Sequence, residues 1–253
     1  RDFMIDRQPP GSFFILDYFG TGGQVTLQRR IPIYGGANEA TFSASTMLTY
    51  PFGQVTGDAS LRILFFELGT HFGYRTQWRN LSFEPGDDGE YCKDCDRKSR
   101  RGLDPILGSG PGTAAYGFLE VRAQLYVPLN DYVVFSSLVA ARYENSPDRT
   151  YDWVFTNVHD GGVVSRWETL LFFKHRDWGG IGPYLQLMSL PRADQHDQEF
   201  AFGFNAVGRL GLVRRNDMLF FTFLIQPGNG YYWQHTYYSP VRAILVYRLY
   251  LAL

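Results

Sequence analysis

Read at every second residue, the stretch FLEVRAQLYVPLND from Phe118 to Asp131 separates into two sets. Leu119, Val121, Ala123, Leu125 and Val127 are apolar, and Glu120, Arg122 and Gln124 stand between them. A period of two puts each set on its own face of a β-strand. Pro128, Asn130 and Asp131 break the pattern, which restarts at Tyr132. The same alternation recurs along the chain, and helical periodicity is almost absent. It predicts strands over 13–33, 39–50, 58–82, 113–127, 131–144, 163–175, 181–190, 198–214, 217–226 and 239–253, about ten in all. Gly20-Thr-Gly-Gly23 interrupts the first of these and offers a place to divide it. About twelve strands is therefore the alternative count.

The third segment, ASLRILFFELGTHFGYRTQWRNL, alternates for about 20 residues, where a soluble strand averages ~5–6. One face reads Leu64, Phe66, Leu68, Thr70, Phe72, Tyr74, Thr76 and Trp78. The other reads Glu67, Gly69, His71, Gly73, Arg75, Gln77 and Arg79. Connections add direction. A long polar stretch over 84–112 is followed by the tight PLND, a long 145–162, and a short turn at HRDWGG. PRADQHD, of moderate length, comes next, then the tight RRND and the long PGNGYYWQHTYYS. Alternating long and short connections put all the short ones on one side.

The pattern alone leaves open which way the apolar face looks. In a soluble barrel or sandwich it looks inward to a core; in a membrane barrel it looks out to lipid and the charged face lines a lumen. Composition bears on the choice. The chain is 45% hydrophobic and 17% aromatic, with 21 Phe and 17 Tyr. Aromatics fall near predicted strand ends: Tyr126 and Tyr132 flank PLND, Trp78 and Tyr143 end their strands, and Trp167 and Trp178 bracket another. These are the positions of an interfacial girdle. Mean hydropathy is −0.22, as expected of walls that are half polar. No apolar run of ~18 residues is present, which excludes a transmembrane helix. The opening RDFMIDRQPP has no apolar core of a signal peptide, as either a processed chain or a cytosolic one would read. Net charge is −1, which excludes a nucleic-acid binder built on a basic surface.

The last segment, VRAILVYRLYLAL, sets Leu245, Tyr247, Leu249, Leu251 and Leu253 on one face. It resembles the C-terminal strand of Gram-negative outer-membrane β-barrels, porin-like in architecture, although that pattern most often finishes in Phe where Leu253 stands here. The resemblance implies an all-β, antiparallel transmembrane barrel with short periplasmic turns and long extracellular loops. It would be one domain over 1–253, with 1–10 a periplasmic segment and 84–112 a long extracellular loop. Its surroundings would be outer-membrane lipid and lipopolysaccharide, with other envelope proteins reachable through the loops. No cofactor is expected.

In that orientation Leu119, Val121, Leu125 and Val127 face lipid. The lumen would take Gln24, Gln28, Arg30, Thr41, Ser43, Ser45 and Thr49 from the early strands. Glu67, His71, Arg75, Arg79, Glu120, Arg122, Gln124, Ser136, Arg142 and Glu144 follow from the middle. Arg166, Glu168, Lys174, Gln186, Asn205, Arg209, Arg242 and Arg248 come from the rest. Arginines outnumber the acids Glu67, Glu120, Glu144 and Glu168. Two readings follow. Paired Arg and Glu fill the interior and plug it. Alternatively, the Arg excess lines a narrow channel for small polar or anionic solutes, with Arg75, Arg122, Arg142, Arg166 and Arg209 setting selectivity.

An outer-membrane hydrolase is the weaker alternative. His159 with Asp160, and His196 with Asp194 and Asp197, are adjacent His–Asp pairs, but these sit in polar connections, and no GxSxG is present. No catalytic residue is assigned. Cys92 and Cys95, spaced CxxC in YCKDCDRKSRR, are a candidate local disulfide, not a zinc or haem signature. Asp87, Asp88 and Glu90 lack EF-hand spacing, and no metal site is assigned.

Overall fold

The computed structural model describes residues 10–33, 38–78, 114–146, 150–152, 157–159, 161–175, 178–192, 195–210, 217–225 and 241–253. Alternating sequence becomes strand throughout. In chain order these are β1 (Gly11–Phe19), β2 (Gly22–Ile33), β3 (Asn38–Thr49), β4 (Phe52–Ile63), β5 (Phe66–Gln77), β6 (Ala114–Pro128) and β7 (Val133–Glu144). A small hairpin follows, β8 (Thr150–Asp152) with β9 (Asn157–His159). Then come β10 (Gly162–His175), β11 (Gly179–Arg192), β12 (Gln195–Arg209), β13 (Met218–Ile225) and β14 (Val241–Ala252). All but the small hairpin form a closed antiparallel barrel of 12 strands. Each strand pairs with its neighbour in sequence, and β1 closes on β14 from Phe13↔Ala252 to Phe19↔Val246. Closure leaves no edge strand, the condition for a sheet to cross a bilayer.

The first predicted strand divides at Gly20–Gly23, as its glycines suggested. The predicted 58–82 strand needs correction: it is the end of β4, a turn at Leu64 and Phe65, and β5. Across the turn the inward face changes from even to odd positions, Arg62 and Asp58 before it, Glu67 and His71 after it. The apolar run Ile63-Leu64-Phe65-Phe66 conceals this one-residue slip, and no Gly, Asn or Pro marks the turn. Leu64 instead takes a φ of 54°, a region that a Cβ penalises. These two divisions raise the expected ten strands to twelve.

Residues 20–21, 50–51, 78–113, 145–161, 193–194 and 226–240 connect strands at one end, and 34–37, 64–65, 129–132, 176–178 and 210–217 at the other. The second set has no connection longer than the eight residues 210–217, where the tight RRND turn was expected, whereas the first holds the three long ones; the second shares its end with the start of β1 and the finish of β14 and is the periplasmic end. At PRADQHD the strands run to Arg192 and from Gln195, so that connection is shorter than its composition suggested. The 1–9 segment, most of the 84–112 loop, Cys92, Cys95, Asp87, Asp88 and Glu90 lie outside the described residues.

Outside, the wall is apolar. Leu119 and Val121 are 51% and 54% exposed, and Phe42, Val55, Phe72, Val139 and Leu245 are comparably bare. In water each such side chain would forgo ~1.5–3 kcal/mol of burial; against lipid it forgoes nothing. Trp78, Tyr132, Tyr143, Trp167 and Trp178 also face outward. Tyr126 departs from the expected girdle. It lies on the inward parity of β6 with Phe118 and Tyr116 and is buried in the lumen.

Candidate functional site: the polar side of the lumen

The interior is divided. Along β10–β14 and β1 it is largely apolar: Phe13, Ile15, Met218 and Tyr250 form one cluster, Val164, Met188 and Leu190 a second, and Tyr184, Ala201 and Leu224 a third. Leu190 has no exposed surface. From β2 to β7 the inward positions are mostly polar, with Phe52, Tyr116, Phe118, Tyr126, Val134 and Ala140 among them, and register orders them in rows across the strands.

One row runs Gln28, Ser43, Asp58, His71, Glu120, Arg142. Asp58 receives Arg122 Nη2 at 2.7 Å, and its second oxygen lies 2.9 Å from His71 Nδ1. Arg122 belongs to β6 and Asp58 to β4, so the contact passes over β5. It does so at Gly69, where a Cβ would stand 3.1 Å from Arg122 Nε and 3.2 Å from Ser60 Cβ. Arg166 likewise reaches over β7, where its register partner is the small Ala140, to Glu120 at 3.5 Å, and also meets Glu168 at 2.9 Å. Glu168 accepts from Gln186 Nε2 at 2.9 Å, and Gln186 accepts from Arg242 Nη2 at 2.5 Å. That last bond passes over β12 and β13, from β14 to β11.

Toward the extracellular end the side chains close in. Arg75 has no exposed surface; it donates to Gln54 at 2.8 Å and Tyr116 at 2.9 Å, with its guanidinium 5.0 Å from the Phe52 ring centre. Arg142 meets Glu144 at 2.6 Å and lies 3.8 Å from the centre of the Phe118 ring. Toward the periplasmic end Arg62 pairs with Glu39. Between this pair and Asp58 lies a cavity of about 210 Å³, lined also by Gln28, Arg30, Thr41, Ser43, Ser60, Glu67, Arg122 and Tyr126. At the barrel seam Arg248 holds Asp17 through two bonds, 2.6 and 2.9 Å.

Of the lumen residues expected from sequence, Glu67, His71, Arg75, Glu120, Arg122, Arg142, Glu144, Arg166, Glu168 and Arg248 all take inward positions. Arg209 is exposed at the periplasmic end of β12. Arg79 lies outside the described residues, as do Asp160 and Asp194, and the side chains of His159, His196 and Asp197. The acids were undercounted: Asp17, Glu39, Asp58 and Glu199 also take inward positions, as does Arg62. Much of the expected arginine excess is thus balanced by carboxylate. Glu39 was legible, since it continues the odd face of Thr41, Ser43 and Ser45. Asp58 and Arg62 were lost to the concealed turn, and Asp17 to the parity change at Gly20–Gly23. Among the described residues no group of three or more His, Cys, Asp or Glu forms a metal site.

A closed wall of this length, apolar outside and charged within, defines the class: the chain is an outer-membrane β-barrel. No protein-family model and no curated protein matches it. Among solved structures it is similar to the NanC porin, at 10% identity over 96% of this chain and 98% of that one, with a TM-score of 0.39. It is also similar to the translocator domain of the autotransporter NalP from Neisseria meningitidis, at 11% identity over 97% and 89%, TM-score 0.43. The β-domain of the Bordetella autotransporter BrkA is similar at 12% identity over 94% of each chain, TM-score 0.45. Superposition is partial at these scores, and the membrane assignment comes from the wall's own two faces.

Proposed function

We propose that the barrel is a narrow passive channel for small polar solutes, its path following the charged wall from β2 to β7. The observation that carries this reading is solvent access at mid-lumen. The side chains of Asp58 and His71 each keep 22% of their surface accessible, and Arg122 keeps 24%, although all three lie mid-wall within the barrel. A fully filled interior would bury them as it buries Leu190. Charge pairing along the path argues for weak selectivity: anions are favoured only where a guanidinium outreaches its carboxylate. Transport, not catalysis, is the role this assigns to Asp58 and His71, which form a hydrogen-bonded pair in the wall.

The test is conductance of the purified, refolded chain in a planar bilayer under a salt gradient. Discrete steps with a modest anion preference are expected. A folded protein that stays silent overturns the reading. It would favour a closed barrel serving as a structural or interaction subunit of an envelope assembly. That second reading is supported by the bond from Arg242 to Gln186 over β12 and β13 and by the complete burial of Arg75, Gln77 and Glu144.

A further inference from the structure

The cavity near the periplasmic end exists for a reason that the register makes plain. The row Arg30, Thr41, Ser60, Gly69, Arg122 sets two long cations at its ends and small residues between them. Small side chains leave the space; the rows above and below wall it with Asp58 and with Glu39, Arg62 and Glu67. At ~30 Å³ per water, 210 Å³ is the room of about seven waters, the bulk of one small polyol or pyranose ring.

Its charges are matched one for one, Arg30, Arg62 and Arg122 against Glu39, Asp58 and Glu67. Arg62 is spoken for by Glu39, and Arg122 by Asp58. The Glu67 side chain makes no hydrogen bond or ion pair among the described residues, so a carboxylate there is open to a donor. Hydroxyls of Thr41, Ser43 and Ser60 donate and accept, and Tyr126 contributes an aromatic ring. An anion entering would meet Glu67 and Asp58. A cation would meet the guanidinium groups. A neutral molecule carrying several hydroxyls satisfies both signs at once.

We propose that this cavity is a binding subsite for an uncharged, hydroxyl-rich solute of monosaccharide size, with Glu67 accepting from its hydroxyls. The proposal deepens the channel reading, because the site lies on that path, yet its test reads binding separately from conduction. Saturation-transfer NMR on the refolded full chain in micelles would compare D-glucose, gluconate and glucosamine. Two variants accompany it: Ser60→Leu, which fills the space, and Glu67→Gln, which leaves the space and removes the charge. Each is used only if it still migrates as an intact barrel before heating.

Saturable glucose binding is expected, weakened about tenfold or more in each variant, because a hydrogen bond to a charged acceptor is lost or blocked. Glucose that does not saturate, binds both variants as well as the parent, or is outcompeted by either charged probe overturns the proposal. A protein that conducts without binding glucose refutes the subsite and leaves the channel. One that binds glucose but is electrically silent refutes the channel and leaves the subsite.

Discussion

Replacing Asp58 with Asn tests the link between the mid-lumen ion pairs and permeation. The change is nearly isosteric and removes the negative charge that Arg122 meets at 2.7 Å and His71 at 2.9 Å. Arg122 then stands uncompensated beside the path. For an ion passing at ~8 Å, with an effective dielectric of ~40 between water and protein, one unit charge is worth about 1 kcal/mol, or about fivefold in relative permeability. Reversal potential under a salt gradient should therefore move toward the anion's equilibrium value in Asp58→Asn. It should move the opposite way in Arg122→Gln. The double variant should return near the parent, since each single change exposes the other's charge and the double exposes neither. A cost in stability accompanies the singles. It is held to about 1–2 kcal/mol, below the ~3–5 of a fully buried pair, because both groups keep water contact. If the channel conducts and Asp58→Asn leaves its reversal potential unchanged, these groups do not border the path and the mid-lumen argument fails.

Three further outcomes probe the wall. Leu64→Asn should raise the urea midpoint for unfolding from phospholipid vesicles by an equivalent of ~0.5–1 kcal/mol, because Asn tolerates the positive φ that strains Leu; a lower midpoint would mean that the apolar turn is held by lipid. Val121→Arg, at the middle of β6 on the outer face, should cost ~2–4 kcal/mol in the same titration, whereas Val121→Leu should be near neutral; equal effects would contradict a lipid-facing Val121. Asp17→Asn should cost about 2–3 kcal/mol, because Asp17 is buried and its two bonds to Arg248 tie the closing strands; an unchanged midpoint would show that the seam is held by its backbone pairing alone.

Lipid-facing and lumen-facing sets were legible wherever one strand kept one phase. FLEVRAQLYVPLND did, and Leu119, Val121 and Leu125 lie outside while Glu120, Arg122 and Gln124 lie inside. Sequence reading failed where phase changed without a punctuating residue. Four consecutive apolar side chains at Ile63–Phe66 fit either parity, so the turn at Leu64 left no trace in the alternation, and Asp58 and Arg62 of β4 were not among the expected lumen residues. Contacts over an intervening strand were illegible for another reason. Arg122 with Asp58 depends on Gly69, and Arg166 with Glu120 on Ala140; in sequence these small residues look like gaps in a polar face, and only register shows what passes over them. Tyr126 sits next to a turn, where an interfacial aromatic also belongs, and was expected in the girdle; the parity it shares with Tyr116 and Phe118 is what sets it in the lumen.

Strand number does not by itself decide whether such a barrel is open. A wall of 12 strands encloses more room than one of ten, and with a uniformly polar lining that room would be water. Here the added room is taken up on one side. Phe13, Ile15, Met218 and Tyr250, with the clusters around Leu190 and Leu224, pack into the lumen from β10–β14 and β1. What is left lies against β2–β7, where the row Thr41, Ser60 and Gly69 keeps side chains short and Arg62 and Arg122 are paired with Glu39 and Asp58. The free cross-section is thus set by how apolar and polar residues are partitioned between the two sides of the interior. Widening the path is cheaper on the apolar side, because truncating Glu39, Asp58, Arg62 or Arg122 on the charged side strands its partner.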